Sequence, residues 1–137
     1  MKKLILLLLS IVVLVGCQSK PVTGETVTVT GGSYQNVAPA ELNTMLKSKD
    51  FVFVNVHIPF AGNIADTDLS IPYDQIGTSE NLSQLPADKS AMIVLYCRSG
   101  RMSEIAAEEL VSRGYTNILN LDGGMVDWEQ AGFEIEK

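Results

Sequence analysis

The sequence predicts a single α/β domain with a mainly parallel central sheet flanked by helices. Three short apolar and β-branched runs, at residues 51–56, 92–96 and 117–121, are typical of buried strands. Helical patterns and turn residues separate these runs. Strands that alternate with helices favour a parallel sheet, because a parallel pair of strands needs a long crossover connection.

The first half of the chain holds one predicted helix and one predicted strand. Pro39 suits the first turn of a helix, and Leu42 begins an apolar face at helical spacing. Residues 51–56 then form the first buried strand. Between residues 61 and 88, several proline and glycine breakers predict loop with short helical turns.

The second half of the chain has a clearer alternation. The strand at 92–96 leads into a helical pattern whose apolar face begins at Met102 and which ends at Gly114. The strand at 117–121 follows, and a glycine pair then turns the chain into a helix at 125–131.

The N-terminal residues are typical of a secretory signal peptide. Two lysines precede the almost wholly apolar residues 4–15, a run too short to span a bilayer, which needs about 20 residues. The sequence at 14–17 resembles the bacterial lipobox, which implies cleavage before Cys17 and lipid attachment to it. We therefore expect residues 1–16 to be a removed signal peptide. An ordinary secretory signal and an uncleaved anchor are the alternatives.

This resemblance implies a lipid-anchored protein on the extracytoplasmic side of a bacterial cell envelope. The anchor would lie in the cell membrane, or in the outer membrane of a cell that has two membranes. Residues 17–33 are rich in small and polar side chains and predict a lipidated N-terminus with a flexible linker. A short edge strand at Val27 and Val29 is the alternative, and we place the domain at residues 34–137.

Charge and cysteine content restrict the function. Without residues 1–16, the chain has 8 Lys and Arg against 16 Asp and Glu, a formal charge of −8. Such acidity argues against nucleic acid as a partner. Once Cys17 is acylated, Cys97 is the only thiol left, so the domain forms no internal disulfide.

Cys97 lies where a buried strand ends and a glycine-containing loop leads into a helix. Successive backbone N–H groups in such a loop face inward and bind negative charge. Arg98 and Arg101 add positive potential, which favours a reactive thiolate. Ser99 and Ser103 are candidate hydrogen-bond donors to the sulfur, although Ser103 suits a helix cap equally well. The alternative is a buried, inert cysteine.

The chain resembles the rhodanese (sulfurtransferase) family over roughly residues 34–133, and the resemblance rests on three segments. These segments are IVLYCRSGRMS at 93–103, AAEEL with GYTNILNLDGGM at 106–125, and DWEQAGF at 127–133. The resemblance implies a single rhodanese-like domain in which catalytic Cys97 carries a persulfide. It also implies a loop that wraps the outer sulfur and binds substrate, made of Arg98, Ser99, Gly100, Arg101 and Met102, with the following helix beginning at Ser103.

The chain departs from the family pattern before this loop. An aspartate-valine-arginine strand end is usual, and this chain has Asn55, Val56 and His57. The usual glycine-histidine-isoleucine-proline-glycine-alanine segment is also replaced at residues 62–67. His57 is either a packed strand-end residue or a general base near Cys97. One histidine with one usable cysteine predicts no metal site.

The leading functional hypothesis is sulfane-sulfur transfer, in which one activated thiolate suffices and no cofactor is needed. Thiosulfate or a persulfide would be the small-molecule donor, and cyanide or a thiol the acceptor. One alternative is a non-catalytic persulfide carrier or binding module. A cysteine phosphatase or arsenate reductase is another, but phosphatases resemble Cys-x5-Arg, and Ser103 stands where that arginine would be.

Overall fold

The computed structural model describes residues 22–137. This part of the chain forms six strands and four helices. The strands are β1 (Thr26–Val29), β2 (Gly32–Val37), β3 (Val52–Asn55), β4 (Leu69–Ser70), β5 (Ile93–Tyr96) and β6 (Ile118–Leu121). The helices are α1 (Pro39–Leu46), α2 (Ser79–Leu82), α3 (Arg101–Ser112) and α4 (Gly124–Gln130).

All six strands belong to one sheet in the order β1-β2-β6-β5-β3-β4. Only the β1–β2 pair is antiparallel, and every other neighbouring pair is parallel. The predicted α/β class with a mainly parallel sheet is therefore confirmed. β5 lies between β3 and β6 and is buried along its whole length, as its unbroken apolar sequence predicts.

The N-terminal part of the sheet differs from the prediction. Residues 26–33, assigned to a flexible linker, instead form β1 and the start of β2, so the edge-strand alternative is the correct one there. Val27 and Val29 are half-buried and pack on the domain, which gives this segment an apolar contact despite its small and polar composition. The predicted signal peptide and Cys17 lie outside the described residues.

Two cores lie on opposite faces of the sheet. The α3-side core contains side chains of α3 and of alternate strand positions, together with Cys97: Tyr34, Val54, Val56, Ile71, Ile76, Leu85, Ile93, Leu95, Cys97, Ala106, Ala107, Leu110, Val111, Tyr115 and Ile118. The α4-side core contains side chains of α1, α4 and the other strand positions: Val37, Leu42, Phe51, Phe53, Ile64, Val94, Tyr96, Leu119, Leu121, Met125 and Trp128.

This architecture brings three chain segments to one edge of the sheet. The parallel strands β3, β5 and β6 end side by side, so the residues after each strand become neighbours. Val56, Cys97 and Asp122 directly follow these strands. Sites in open parallel sheets form at this carboxyl edge. Within residues 22–137, no helix is long and apolar enough to cross a bilayer.

Candidate active site

Cys97 lies directly after β5 and is almost fully buried, with 1% of its surface exposed. Its Sγ accepts a hydrogen bond from the Gly100 backbone N–H, with an N···S distance of 3.1 Å. The Ser103 hydroxyl lies 3.4 Å from the same sulfur. The Gly100 N–H is therefore a direct donor to Sγ, and the Ser103 hydroxyl is a second donor within reach of it.

Gly100 makes the sharp turn between the cysteine and α3. Its φ of +101° is a conformation that L side chains rarely adopt, which explains a glycine here. Its carbonyl accepts the N–H of Glu104 as α3 begins. The helix therefore starts at Arg101, two residues earlier than the predicted start at Ser103.

Ser103 is consequently the third residue of α3 and not its cap. The helix has no side-chain cap, because Gly100 occupies the cap position. The fully buried Ser103 hydroxyl also lies 2.9 Å from the Gly100 carbonyl oxygen. A hydroxyl has one proton, so Ser103 donates either to this carbonyl or to Sγ at any moment.

The other loop residues surround the cysteine without bonding to its sulfur. Arg98, Ser99 and Arg101 are exposed, and Met102 is half-buried against the α3-side core. Among the described residues, the hydrogen bonds to Sγ come only from Gly100 and Ser103. The structure thus places the two arginines at the surface, one directly after the cysteine and one at the start of α3.

α4 holds the loop from the other side, a contact that the sequence interpretation missed. The Met125 N–H donates to the Cys97 carbonyl oxygen at 2.9 Å, and the Val126 N–H donates to the Arg98 carbonyl oxygen at 2.9 Å. Gly124 packs directly on the same peptide groups. The sequence indicates only a turn for the glycine pair, since nothing local in it reveals the partner of α4.

His57 lies beside Arg98, two residues beyond the last registered β3–β5 pair, in which Asn55 faces Tyr96. Burial and, secondarily, the Arg98 charge lower the pKa of His57 below its usual value. Its Nδ1 is buried and has no hydrogen-bond partner among the described residues. A neutral imidazole therefore borders the arginine that follows the cysteine.

Asn55 explains why the strand end departs from the family pattern. Its Nδ2 donates to the Gly62 carbonyl oxygen and to Asn63 Oδ1, both at 2.9 Å. Its Oδ1 accepts the His57 backbone N–H at 3.0 Å. An aspartate supplies the last of these bonds but neither of the first two. The unusual asparagine is thus fitted to the unusual segment that follows it.

Tyr96 fixes the same segment from β5. Its hydroxyl accepts the backbone N–H of Ile64 at 3.0 Å and lies 2.7 Å from the Thr67 hydroxyl. Between residues 22 and 137, no group of three or more histidine, cysteine, aspartate or glutamate side chains is placed to hold a metal ion.

The fold and this site define an α/β domain in which Cys97, the one cysteine within residues 22–137, lies in a strand–loop–helix unit with two hydrogen-bond donors near its sulfur. The profile of the Rhodanese-like domain family matches residues 39–131. The chain belongs to this family.

Similar proteins and structures agree with this assignment. An uncharacterized protein of Synechocystis sp. is 33% identical over 103 residues, covering 74% of this chain and 55% of that protein. A sulfurtransferase of Allochromatium vinosum is 34% identical over 91 residues, covering 64% of this chain and 80% of that protein. A rhodanese-like domain protein of Staphylococcus aureus superimposes with a TM-score of 0.59 at 29% identity, covering 74% of this chain and 98% of that one.

Proposed function

We propose that the protein is a sulfurtransferase that moves sulfane sulfur from thiosulfate or a persulfide, through a persulfide on Cys97, to cyanide or a thiol. The observation that carries this proposal is the buried Sγ of Cys97, which faces the Gly100 N–H and the Ser103 hydroxyl. Both donors are suited to an anionic sulfur. The sulfurtransferase name of the Allochromatium relative supports the same chemistry.

The reaction requires two displacements at sulfur. The Cys97 thiolate attacks the outer sulfur of the donor, a new S–S bond forms, and the donor's own S–S bond breaks. With thiosulfate, sulfite leaves with the bonding electrons. The acceptor nucleophile then attacks the outer sulfur of the Cys97 persulfide, and Sγ leaves as the thiolate. The cycle ends with the starting enzyme, so no external oxidant or reductant is needed.

The loop contributes by holding negative charge without rearrangement. Its donors are fixed by β5, by α3 and by the two backbone bonds from α4. Fixed donors stabilise developing charge better than water, which must reorient. Arg98 and Arg101 raise the local concentration of anionic donors such as thiosulfate.

Loop length argues against the phosphatase alternative. α3 begins at Arg101, so only Arg98, Ser99 and Gly100 separate the cysteine from the helix. The position six residues after Cys97 is Ser103, which points its hydroxyl at Sγ. The side chain there is too short and lacks the charge to bind a phosphate oxygen as an arginine does.

We also propose that the domain works outside the cytoplasm on a lipid anchor at Cys17. The support is the lipobox-like sequence at 14–17 with its basic and apolar lead. The test is mass analysis of the protein purified from bacterial membranes. Diacylated Cys17 as the first residue is the expected result, and an unmodified chain that begins at Met1 would contradict it.

The catalytic proposal is tested on the full chain, purified in detergent and reduced. Thiosulfate is added, and intact mass is compared between wild type and Cys97→Ser, since that substitution removes only the one thiol. We expect wild type to gain one sulfur atom and the variant to gain none. Addition of cyanide should then regenerate the enzyme over many turnovers. Loading without turnover would indicate a carrier, and equal activity in the variant would refute the assignment.

A further inference from the structure

We propose that β1 pairs with β1 of a second copy of this chain, so that the two sheets join into one in a weak symmetric dimer. The sheet has two edge strands, β1 and β4. β4 contains only two residues, and Asp68, directly before it, bonds to Lys49. β1 is longer, and its pairing with β2 uses only one of its two sides. The outer side of β1 is therefore where this sheet can accept another strand.

The backbone groups of Thr26 and Thr28 point away from β2. In an antiparallel pair, residues alternate between positions that bond to the neighbouring strand and positions that face outward. The Asn36 N–H donates to the Glu25 carbonyl oxygen at 2.8 Å, so Glu25 is a bonded position. Counting along the registered pairing, Thr26 and Thr28 are outward positions. Their N–H and C=O groups have no partner within residues 22–137 and are available to another strand.

The sequence of this edge is a palindrome. Residues 26–30 read TVTVT from either end. A twofold dimer brings the same surface of both copies together, so its interface must be complementary to itself. With the twofold axis at Thr28, the Thr28 N–H of each copy donates to the Thr28 carbonyl oxygen of the other. Each Val27 then lies opposite a Val29, and a second copy of the chain is the partner that this edge matches.

The same register covers the apolar side chains of β1. Val27 and Val29 lie on the α3-side of the sheet and are only half-buried in a single copy. In the dimer they lie opposite Val29 and Val27 of the second copy. These are positions without hydrogen bonds between the two β1 strands, where opposed side chains approach most closely. The valines of both copies therefore form a continuous apolar row across the new strand pair.

The charges near β1 are compatible with this register. Residues 26–30 contain no charged residue and no proline, although edge strands are commonly protected from pairing by both. Glu25 lies opposite Gly31 of the second copy and not opposite another carboxylate. An edge this short buries less than the roughly 800 Å² per partner of a standard stable interface. The dimer is therefore weak, and its population depends on protein concentration.

The pairing leaves the cysteine site open. β2 and β6 lie between β1 and β5, and Cys97 follows β5. Neighbouring strands lie about 4.8 Å apart, so β1 is roughly 15 Å from the strand that leads to the thiol. The dimer is therefore independent of the sulfur-transfer function proposed above. Urea unfolding serves as the check that β1 variants keep the fold.

The first test measures the mass of the full chain in detergent by sedimentation equilibrium over a range of concentrations. Moderate salt screens the repulsion between two acidic copies. Thr28→Lys places two ammonium groups opposite each other at the twofold axis, on a side chain that is exposed in a single copy. Thr44→Lys makes the same change in charge at an exposed residue of α1, and a micelle shared by two copies would affect both variants alike.

We expect the mass of wild type and of Thr44→Lys to rise toward that of a dimer with concentration. Thr28→Lys should lower the association constant about fivefold or more, because like charges lie directly opposite. A wild type that stays monomeric at all concentrations would overturn the proposal. Equal association of Thr28→Lys and Thr44→Lys would overturn it too.

The second test examines the register by disulfide formation in a Cys97→Ser parent, which lacks the thiol of the domain. Thr28→Cys brings two thiols together on Cα atoms about 5.5 Å apart, within the span of a disulfide. Thr26→Cys is the control, since the same register separates its two thiols by about 13 Å along the strands. Mild oxidation should link Thr28→Cys about tenfold more than Thr26→Cys. Equal linking of the two variants would overturn the β1 pairing.

Discussion

Gly124 packs against the peptide group of Cys97 so closely that no larger residue fits without movement. A Cβ at Gly124 would lie 2.5 Å from the Cys97 carbonyl oxygen and 2.8 Å from the Arg98 carbonyl oxygen. Its φ of +60° also lies in the left-handed region. The backbone that carries the thiol therefore depends on a glycine 27 positions away in the sequence.

Gly124→Ala should displace the loop and lower kcat/KM for sulfur transfer by about tenfold or more, because small misplacements at a reacting centre are costly. Gly132→Ala is the matched control. Gly132 has a φ of +89°, and a methyl group added there would have no atom within 4 Å, so this variant carries the backbone strain alone, about 1 kcal/mol. Steady-state kinetics measures the effect of the displaced loop on activity, and urea unfolding measures the effect of backbone strain on stability. Equal activity in both variants would contradict the role of the contact.

Asn55→Asp should destabilise the fold at neutral pH by about 2 kcal/mol or more, since a buried carboxylate would face two oxygen acceptors. The loss should shrink in acid, where a protonated carboxyl donates one bond. Asn36→Asp is the control, because Asn36 Oδ1 only accepts a bond, from Asn120 Nδ2. Urea unfolding at neutral and acidic pH gives the measurement, and equal losses in both variants would refute the explanation.

Tyr96→Phe should lower the free energy of unfolding by about 1–3 kcal/mol, because it leaves the buried Ile64 N–H without an acceptor. Tyr73→Phe is the control, since among the described residues the Tyr73 hydroxyl makes no hydrogen bond. Burial also raises the pKa of Tyr96 above its usual value of 10.0. The stability that the Tyr96 hydroxyl contributes to wild type should therefore be lost as pH rises through this raised pKa. Tyr96→Phe should show no such loss.

The lowered pKa of His57 predicts that the free energy of unfolding decreases in mildly acidic solution. Its pKa in the fold lies below the usual 6.5, so the unfolded chain binds a proton that the native state takes up less readily. Stability should fall as pH drops from 6.5 toward the lowered value. In His57→Gln this part of the decline should disappear. Urea unfolding between neutral and mildly acidic pH tests it, and parallel pH profiles would contradict it.

The central strands and the cysteine loop are predictable because their signals are local. Residues 93–96 are an unbroken apolar run, and the sequence CRSG that follows leaves a glycine to make the turn. The helix start at Arg101 was missed because the positive φ of Gly100 ends the loop before any capping side chain appears.

Other elements depend on contacts that a single sequence does not display. β4 contains only Leu69 and Ser70, too few residues for a periodic pattern, and it exists because it pairs with β3. β1 alternates threonine and valine, yet its assignment depends on antiparallel pairing with β2. The segment at 133–137 is held against the domain by two backbone bonds between Asn63 and Glu136 and by the Trp128 indole bond to Glu134, none of which a local pattern reveals.

The two backbone hydrogen bonds from α4 to the cysteine loop also bear on local unfolding of the site. A segment exchanges its amide hydrogens only when its own hydrogen bonds break, and those bonds belong to cooperative units that open together. The Met125 and Val126 amides are the donors that hold the carbonyls of Cys97 and Arg98. We therefore expect the thiol-bearing loop and α4 to open as one unit, which Trp128 on α4 connects to the α4-side core.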